Sequence, residues 1–116
     1  MNSLEFEDEE RAPGIFVVTL RGQFDFTYAP DARQAMRHCI EAGARRLVVN
    51  MDGVEYVDSA GLGTLVGTLA AMREHDGELS IVCNNVRIRR VFEITKLSQI
   101  LTIYSTEDEA GVPRKA

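Results

Sequence analysis

The sequence predicts a single α/β domain built on a mostly parallel sheet of about five strands. Short apolar segments rich in β-branched residues alternate with longer segments whose apolar residues recur every three to four positions. Strands that alternate with helices form parallel sheets through right-handed crossovers. The length of 116 residues suits one domain. We therefore expect one domain over 1–116, with a core at about 4–110 and a frayed tail at 111–116.

The N-terminal segment predicts a β-hairpin. LEFE at 4–7 alternates apolar and acidic residues, as a short edge strand does. Pro13 and Gly14 supply turn chemistry, and IFVVTLRG at 15–22 leaves that turn as a second strand.

A helix and a central strand follow the hairpin. TYAPDARQAMRHCIEAGA at 27–44 predicts the helix, with Thr27 or Asp31 near its start and Gly43 at its end. RLVVN at 46–50 is apolar without alternation, which favours a strand covered on both faces.

The middle of the chain predicts a second helix, at 60–75, which ends at Asp76 and Gly77. Its apolar residues have the spacing of one buried stripe. The expected members of that stripe are Leu62, Leu65, Val66, Leu69 and Met72.

The C-terminal part continues the alternation. ELSIVC at 78–83 predicts a strand, VRIRRVFEIT at 86–95 a helix capped by Asn85, and ILTIY at 100–104 the last strand. The remaining tail resembles the start of a final helix that frays after Gly111. The core face of the helix at 86–95 is expected to comprise Ile88, Val91 and Phe92.

Composition excludes several classes of function. The net charge of −5 does not favour a nucleic-acid partner. The sequence has no apolar run long enough to span a membrane, and its acidic N-terminus is unlike a signal peptide. Cys39 and Cys83 are far apart in apolar surroundings, which indicates reduced, buried thiols. We expect a cytoplasmic protein that is not inserted in a membrane.

The order of elements predicts where function resides. Ligands of open parallel sheets gather beyond the carboxyl ends of the strands. The loops that leave those ends are 22–27, 51–61 and 83–85. Their candidate side chains are Asp25, Asp58, Ser59 and Asn84.

Ser59 has three interpretations. Either Asp58 or Ser59 is expected to cap the helix that follows. A nucleophilic serine is disfavoured, because residues 57–61 lack the first glycine of G-x-S-x-G and both His38 and His75 fall within helices. A phosphoacceptor serine fits better, because a phosphate is tolerated at a helix N-terminus but disrupts an interface.

Nucleotide and metal sites have weaker support. GLGTLVGT at 61–68 lacks the lysine of a phosphate-binding loop. A carboxylate site formed by Asp25, Asp52 and Asp58 is generic. We assign no metal, no cofactor and no catalytic residue.

The helix after Ser59 carries a row of small residues. Gly63, Gly67 and Ala71 recur every four positions. This row either lets a partner approach closely or packs against the domain's own sheet, and the sequence favours neither interpretation.

LVVNMDGVEYVDSAGLGTLVG at 47–67 resembles the STAS domain of bacterial anti-sigma factor antagonists, whose hallmark is D-S-x-G-L-G between a strand and a helix. The resemblance covers about residues 14–110, including RGQFD at 21–25 and LSQILTIYSTEDEA at 97–110. Two departures are Lys96, where many members have glycine, and the aromatic pair Phe26 and Tyr28, which belong either to the core or to the interface.

The resemblance implies a switch between partners. The unphosphorylated antagonist binds an anti-sigma factor that is also a serine kinase, and this binding frees the sigma factor. The kinase, which binds the ATP, phosphorylates the motif serine and is released; a metal-dependent serine phosphatase reverses the modification. Ser59 would be the phosphoacceptor. The partner would contact Asp25, Asp58, Ser59, Ala60, Gly61, Leu62, Gly63 and Asn84.

Two alternatives stay open. A STAS domain can be a constitutive interaction subunit of a transport or stress-sensing complex, with no phosphorylation of Ser59. The chain can also be an enzyme or a small-ligand binder that uses Asp25 and Asp58.

Overall fold

A computed structural model describes residues 3–115. Met1, Asn2 and Ala116, which belong to the expected domain range, lie outside the described residues. Strands and helices follow each other in the predicted order. They are β1 (Leu4–Ala12), β2 (Ile15–Phe24), α1 (Ala29–Glu41), β3 (Arg46–Val57), α2 (Ser59–Glu74), β4 (Glu78–Val82), α3 (Val86–Ile94) and β5 (Thr102–Tyr104). A 3₁₀ turn at Leu97–Gln99 precedes β5, and the segment after β5 forms turns instead of a final helix.

The sheet has five strands in the order β1-β2-β3-β4-β5. β1 pairs antiparallel with β2, and the other neighbours are parallel. Each parallel crossover moves one strand further in the same direction across the sheet. Right-handed connections therefore place all three helices on one face. The predicted α/β fold class, with its N-terminal hairpin, is therefore confirmed.

The helix-covered face holds the larger core. Val18, Val49 and Ile81 from three neighbouring strands are fully buried against α1, α2 and α3. In α2 the expected stripe is only partly right, because Val66 is 37% exposed. Two threonines of α2, Thr64 and Thr68, are buried instead.

Those buried threonines are satisfied inside the helix layer. The Thr68 hydroxyl donates a hydrogen bond to the Thr64 carbonyl at 2.8 Å and lies 3.2 Å from the sulfur of Met36 in α1. The Thr64 hydroxyl donates to the Ala60 carbonyl at 3.0 Å. Thr64 and Thr68 are thus on the buried side of α2, where Thr68 contacts α1, and Val66 lies on the exposed side.

The opposite face of the sheet is covered by the C-terminal segment. Ala110 and Val112 pack on Val17, Val48 and Val82. Val112 is only 5% exposed, so the chain still contacts the sheet beyond Gly111, where the sequence analysis expects fraying.

Polar contacts attach this segment to the sheet. The guanidinium of Arg46 donates to the carbonyls of Ala110 and Gly111. The amide of Asn50 donates to Glu107 at 2.7 Å, and Arg11 forms an ion pair with the same carboxylate at 2.9 Å. This cover explains why β3 is apolar on both faces.

β3 is much longer than expected. Residues 51–57, which the sequence analysis treats as loop, continue the strand and pair with β2 up to Val57 opposite Phe24. Two register irregularities accompany this pairing. β4 ends at Val82 opposite Asn50, so within residues 3–115 the last part of β3 pairs with β2 alone. The end of β3 thus lies well beyond the end of β4.

Both cysteines are buried and free, as the sequence predicts. Burial raises the pKa of the Cys39 thiol to about 12 and raises the pKa of Cys83 in the same direction. Within residues 3–115, none of the helices has the length and apolar character needed to cross a bilayer.

One position carries an unusual backbone conformation. Lys96 has a φ of 64°, in the left-handed region that favours glycine. This is the position at which the resemblance leads us to expect glycine. Lys96 directly follows Thr95, the C-cap of α3, and so takes the left-handed conformation with which glycine commonly ends a helix.

Candidate functional site

Asp58 caps α2 and leaves the neighbouring serine free. One carboxylate oxygen of Asp58 accepts hydrogen bonds from the backbone N–H groups of Ala60 at 2.9 Å and Gly61 at 3.1 Å. The alternative in which Ser59 is the cap is therefore wrong, and the helix begins at Ser59. The Ser59 side chain is exposed, and its hydroxyl makes no hydrogen bond to any residue from 3 to 115.

The same aspartate joins α2 to the loop that leaves β2. Its second carboxylate oxygen accepts a hydrogen bond from the Phe26 N–H at 3.0 Å. Asp25 organises the rest of that loop, because its carboxylate accepts from the N–H groups of Thr27 at 3.1 Å and Tyr28 at 3.3 Å. The structure thus brings Asp25, Asp58 and Ser59 together, as predicted for two of the three loops.

These contacts set the charge of Asp58. Burial opposes ionisation of its carboxyl group, but the hydrogen bonds from Gly61, Phe26 and Ala60 outweigh this effect. Together they hold the pKa of Asp58 below its usual range. The group is an anion at neutral pH, next to the Ser59 hydroxyl.

Gly61 permits the close contact between α2 and the end of β2. A Cβ atom at this position would collide with the Phe24 carbonyl oxygen and lie 2.8 Å from Cγ2 of Val57. Gly63 differs, because a Cβ there would meet nothing within 4 Å. The first glycine of the motif is therefore structural, and the second faces open space. Leu62 between them is partly buried, as is Ala60 before them.

Asn84 lies apart from this cluster. Its N–H donates to the Asp52 carboxylate at 2.8 Å. Asp52 lies five positions before the end of β3 at Val57, and at about 3.3 Å per residue this part of the strand spans roughly 16 Å. The third loop therefore does not join the other two, because β3 extends past the end of β4.

The next residue has a structural role that the sequence predicted. The Asn85 side chain accepts a hydrogen bond from the Arg87 N–H at 3.0 Å and so caps α3. Its amide group also donates to the Val54 carbonyl at 3.2 Å.

The geometry gives no support to the catalytic and metal alternatives. His75 ends α2, a helix of 16 residues and hence about 24 Å in length, which begins at Ser59. Asp52 accepts the hydrogen bond from the Asn84 N–H and is separated from Asp58 by the last part of β3. Among residues 3–115, no group of three or more metal-ligating side chains is suitably arranged. A groove of about 430 Å³ lies between α1 and α2 and contains none of the predicted site residues.

Phe26 is a surface residue of the site, for which the sequence left both a core and an interface role open and which was not one of the eight expected partner contacts. Its side chain is 80% exposed, whereas that of Phe24, two residues earlier, is fully buried. The core interpretation of Phe26 is therefore wrong. The sequence carried one signal for this exposure, which is the position of Phe26 between the polar residues Asp25 and Thr27, outside the strand.

Comparison with known proteins identifies the family. The model of the STAS domain matches residues 8–110. An anti-sigma-B factor antagonist of Staphylococcus aureus is 36% identical over 88 residues, which cover 76% of this chain and 82% of that protein.

Solved structures show the same fold. An anti-sigma factor antagonist from Mycobacterium paratuberculosis superimposes with a TM-score of 0.84 and 27% identity, over 95% of this chain and 94% of that chain. The anti-sigma factor antagonist SpoIIAA in its unphosphorylated form has a TM-score of 0.77 and 23% identity, over 91% and 92% of the two chains. With a family model that spans most of its length and relatives at this level of identity, the chain belongs to the STAS domain family.

Proposed function

We propose that this protein is an anti-sigma factor antagonist that is switched by phosphorylation of Ser59. In its unphosphorylated form it binds an anti-sigma factor with serine kinase activity, and phosphorylation releases it. A metal-dependent serine phosphatase restores the binding form, and the exchange takes place in the cytoplasm. One observation carries the proposal: the Ser59 hydroxyl is exposed and unbonded within residues 3–115, while Asp58 performs the capping.

The fold is suited to accept the modification. A phosphate on Ser59 adds about −1.5 to −2 charges. It would stand at the first residue of α2, where the helix dipole stabilises an anion by roughly 0.3–1 kcal/mol. Since the Ser59 hydroxyl makes no hydrogen bond to the described residues, modification breaks no hydrogen bond among them. We therefore expect the domain to stay folded when it is phosphorylated.

A bound partner, in contrast, would be displaced. When a partner excludes water from this surface, a phosphate on Ser59 and the neighbouring Asp58 carboxylate are like charges; at about 4 Å with an effective dielectric constant of about 20 they repel by on the order of 4 kcal/mol. At about 1.4 kcal/mol per tenfold change, this corresponds to roughly a thousandfold loss of affinity. Asp25 and Asp58 already make this surface acidic, so added negative charge requires still more compensation from the partner.

The relatives support this function. The staphylococcal proteins that share 36% identity are named anti-sigma-B factor antagonists. SpoIIAA of Bacillus, which has the same fold, has structures in the unphosphorylated and the phosphorylated form. A domain of this fold therefore exists in both states.

The test compares charge at Ser59 with equal charge elsewhere. The tagged chain is expressed in its native cells, co-purifying proteins are identified, and the kinase among them is purified for titration. Ser59→Ala is expected to bind this kinase but resist phosphorylation, whereas Ser59→Asp loses binding. Ser98→Asp, on the exposed 3₁₀ turn that precedes β5, is the matched control and binds as the wild type does.

Intact-mass measurement completes the test. We expect a phosphate on Ser59 in the fraction that is free of the kinase. If Ser59 stays unmodified during growth, stress and starvation while Ser59→Asp still binds its partner, the chain is a constitutive interaction subunit and the proposal is wrong.

A further inference from the structure

We propose that Phe26 is the apolar anchor of the interface around Ser59, and that the partner presents an apolar pocket bordered by lysine or arginine side chains. The inference rests on the proposed function and specifies the chemistry of the partner surface. It assigns to Phe26 a role in recognition that a substitution can remove while the phosphoacceptor Ser59 is left in place.

Exposure is the first observation. Phe26 is 80% exposed, which is more than any other large apolar side chain in residues 3–115. Single exposed apolar side chains are common on proteins, so exposure alone assigns no role. An aromatic ring in the centre of an interface, however, supplies much of its binding energy when a pocket removes it from water.

The position of Phe26 provides the second observation. Its N–H donates to one carboxylate oxygen of Asp58, while the other oxygen of that carboxylate binds the N–H groups of Ala60 and Gly61. A single carboxylate therefore joins the backbone of Phe26 to the residues that follow Ser59. We therefore expect a partner that covers the Ser59 hydroxyl to contact Phe26 as well.

The loop presents the ring on an ordered backbone. The Asp25 carboxylate accepts from the N–H groups of Thr27 and Tyr28, and the Asp25 carbonyl accepts from Ala29 at 2.7 Å. These hydrogen bonds, together with the one from the Phe26 N–H to Asp58, fix the backbone on both sides of Phe26. Less conformational entropy is then lost on binding than for a residue in an open loop.

Charge specifies the surroundings of the pocket. Asp25 and Asp58 both direct their carboxylates at backbone N–H groups, and neither forms an ion pair with a residue from 3 to 115. The ring therefore stands on an acidic surface without internal counter-charge. A complementary partner surface is apolar at its centre and basic at its border.

The arrangement couples the anchor to the switch. A phosphate on Ser59 would stand next to the Asp58 carboxylate, which accepts the hydrogen bond from the Phe26 N–H. Inserting the ring would then bring the phosphate dianion into the same desolvated interface, where charge is costly unless it is paired, and the basic side chains of the border would already be paired with Asp25 and Asp58. Phosphorylation would thus prevent burial of the ring without changing the conformation of the domain.

The experiment titrates the purified kinase partner with matched variants. Phe26→Ala is expected to weaken binding at least tenfold, and Phe26→Leu to weaken it less because part of the apolar contact remains. Ile94→Ala is the control, since Ile94 is 72% exposed at the far end of α3; its affinity should change less than twofold. Thermal unfolding of each variant should match the wild type, because both side chains are exposed.

The outcomes separate the anchor from the switch. If Phe26→Ala binds the kinase as the wild type does while Ser59→Asp does not, Phe26 is not the anchor of the interface. The proposed switch at Ser59 is then unaffected. If Ser59→Asp also binds normally, the proposed function itself fails. A separate variant tests the basic border of the partner's pocket. Asp25→Asn removes one negative charge and should make the affinity for the kinase less sensitive to ionic strength. If the salt dependence is unchanged, the basic border is wrong.

Discussion

At the scale of single residues, Asp58 is the centre of the site. Its two carboxylate oxygens accept three backbone N–H groups, one from Phe26 and two from Ala60 and Gly61, which lie 34 and 35 positions after Phe26. The side chain therefore caps α2 and positions the loop after β2 at the same time. By serving as the cap, it also leaves the Ser59 hydroxyl available.

Removing this carboxylate should lower stability in a pH-dependent way. Asp58→Ala is expected to reduce the free energy of unfolding by about 1 kcal/mol at neutral pH, the typical value of a helix cap. The folded-state pKa of Asp58 is lowered, so its contribution is present above the unfolded-state pKa of about 3.9 and is lost as pH falls through the lower folded value. Urea unfolding of wild type and variant from neutral to acidic pH measures this difference.

The control removes a carboxylate that makes no such contacts. Asp31 is exposed in the first turn of α1, and its side chain forms no hydrogen bond within residues 3–115. Asp31→Ala should therefore change stability less than Asp58→Ala at neutral pH. A difference between wild type and Asp58→Ala that does not shrink in acid would contradict the assigned role of the carboxylate.

At the scale of elements, α2 presents two different faces. Thr64 and Thr68 pack toward α1, whereas a Cβ atom at Gly63 or Gly67 would meet nothing within 4 Å. Packing of these two glycines against the domain's own sheet, one of the two interpretations of the small-residue row, is therefore wrong. The other interpretation, close approach of a partner, stays a proposal.

The two glycines of the motif should respond in opposite ways to the same substitution. Gly61→Ala places a methyl group against the Phe24 carbonyl and the Val57 side chain, and should lower the free energy of unfolding by about 1–3 kcal/mol, as overpacking does. Gly63→Ala adds its methyl group to open space within a helix and should raise it by roughly 0.5–1 kcal/mol. Urea unfolding of both variants provides the measurement. If both substitutions change the free energy of unfolding equally, the contacts of Gly61 with Phe24 and Val57 do not exclude a side chain at that position.

At the scale of the whole molecule, the sheet needs cover on both faces. Adjacent right-handed crossovers put every helix on one side. The other side keeps Val17, Val48 and Val82, which water would contact without Ala110 and Val112. The segment after β5 is therefore part of the core structure.

Shortening the side chain in this cover tests its contribution. Val112→Ala removes two methyl groups from a buried position and should cost about 1.6 kcal/mol, at about 0.8 kcal/mol per buried carbon. Pro113→Ala is the control, because Pro113 is exposed and its backbone carbonyl still accepts the hydrogen bond from Arg11. Thermal or urea unfolding measures the stability of both variants and of the wild type. If the two variants are equally stable, the C-terminal segment does not cover the sheet in solution.

Local patterns in the sequence determined the order of the elements, the strand-to-helix junction at Asp58 and Ser59, and the cap at Asn85. Each of these depends on residues within a few positions of one another, so spacing and residue type are sufficient to predict them. The choice of Asp58 over Ser59 as the cap was not predictable in this way, because both residues have suitable side-chain oxygens.

Only the tertiary structure decided the length of β3, the isolation of Asn84, the exposure of Phe26 and the burial of Val112. β3 continues past Asn50 because β2 pairs with it up to Val57, and that pairing separates Asn84 from Ser59. Val112 is buried because the helices occupy the other face of the sheet. These features depend on contacts between residues distant in sequence, which local periodicity does not encode.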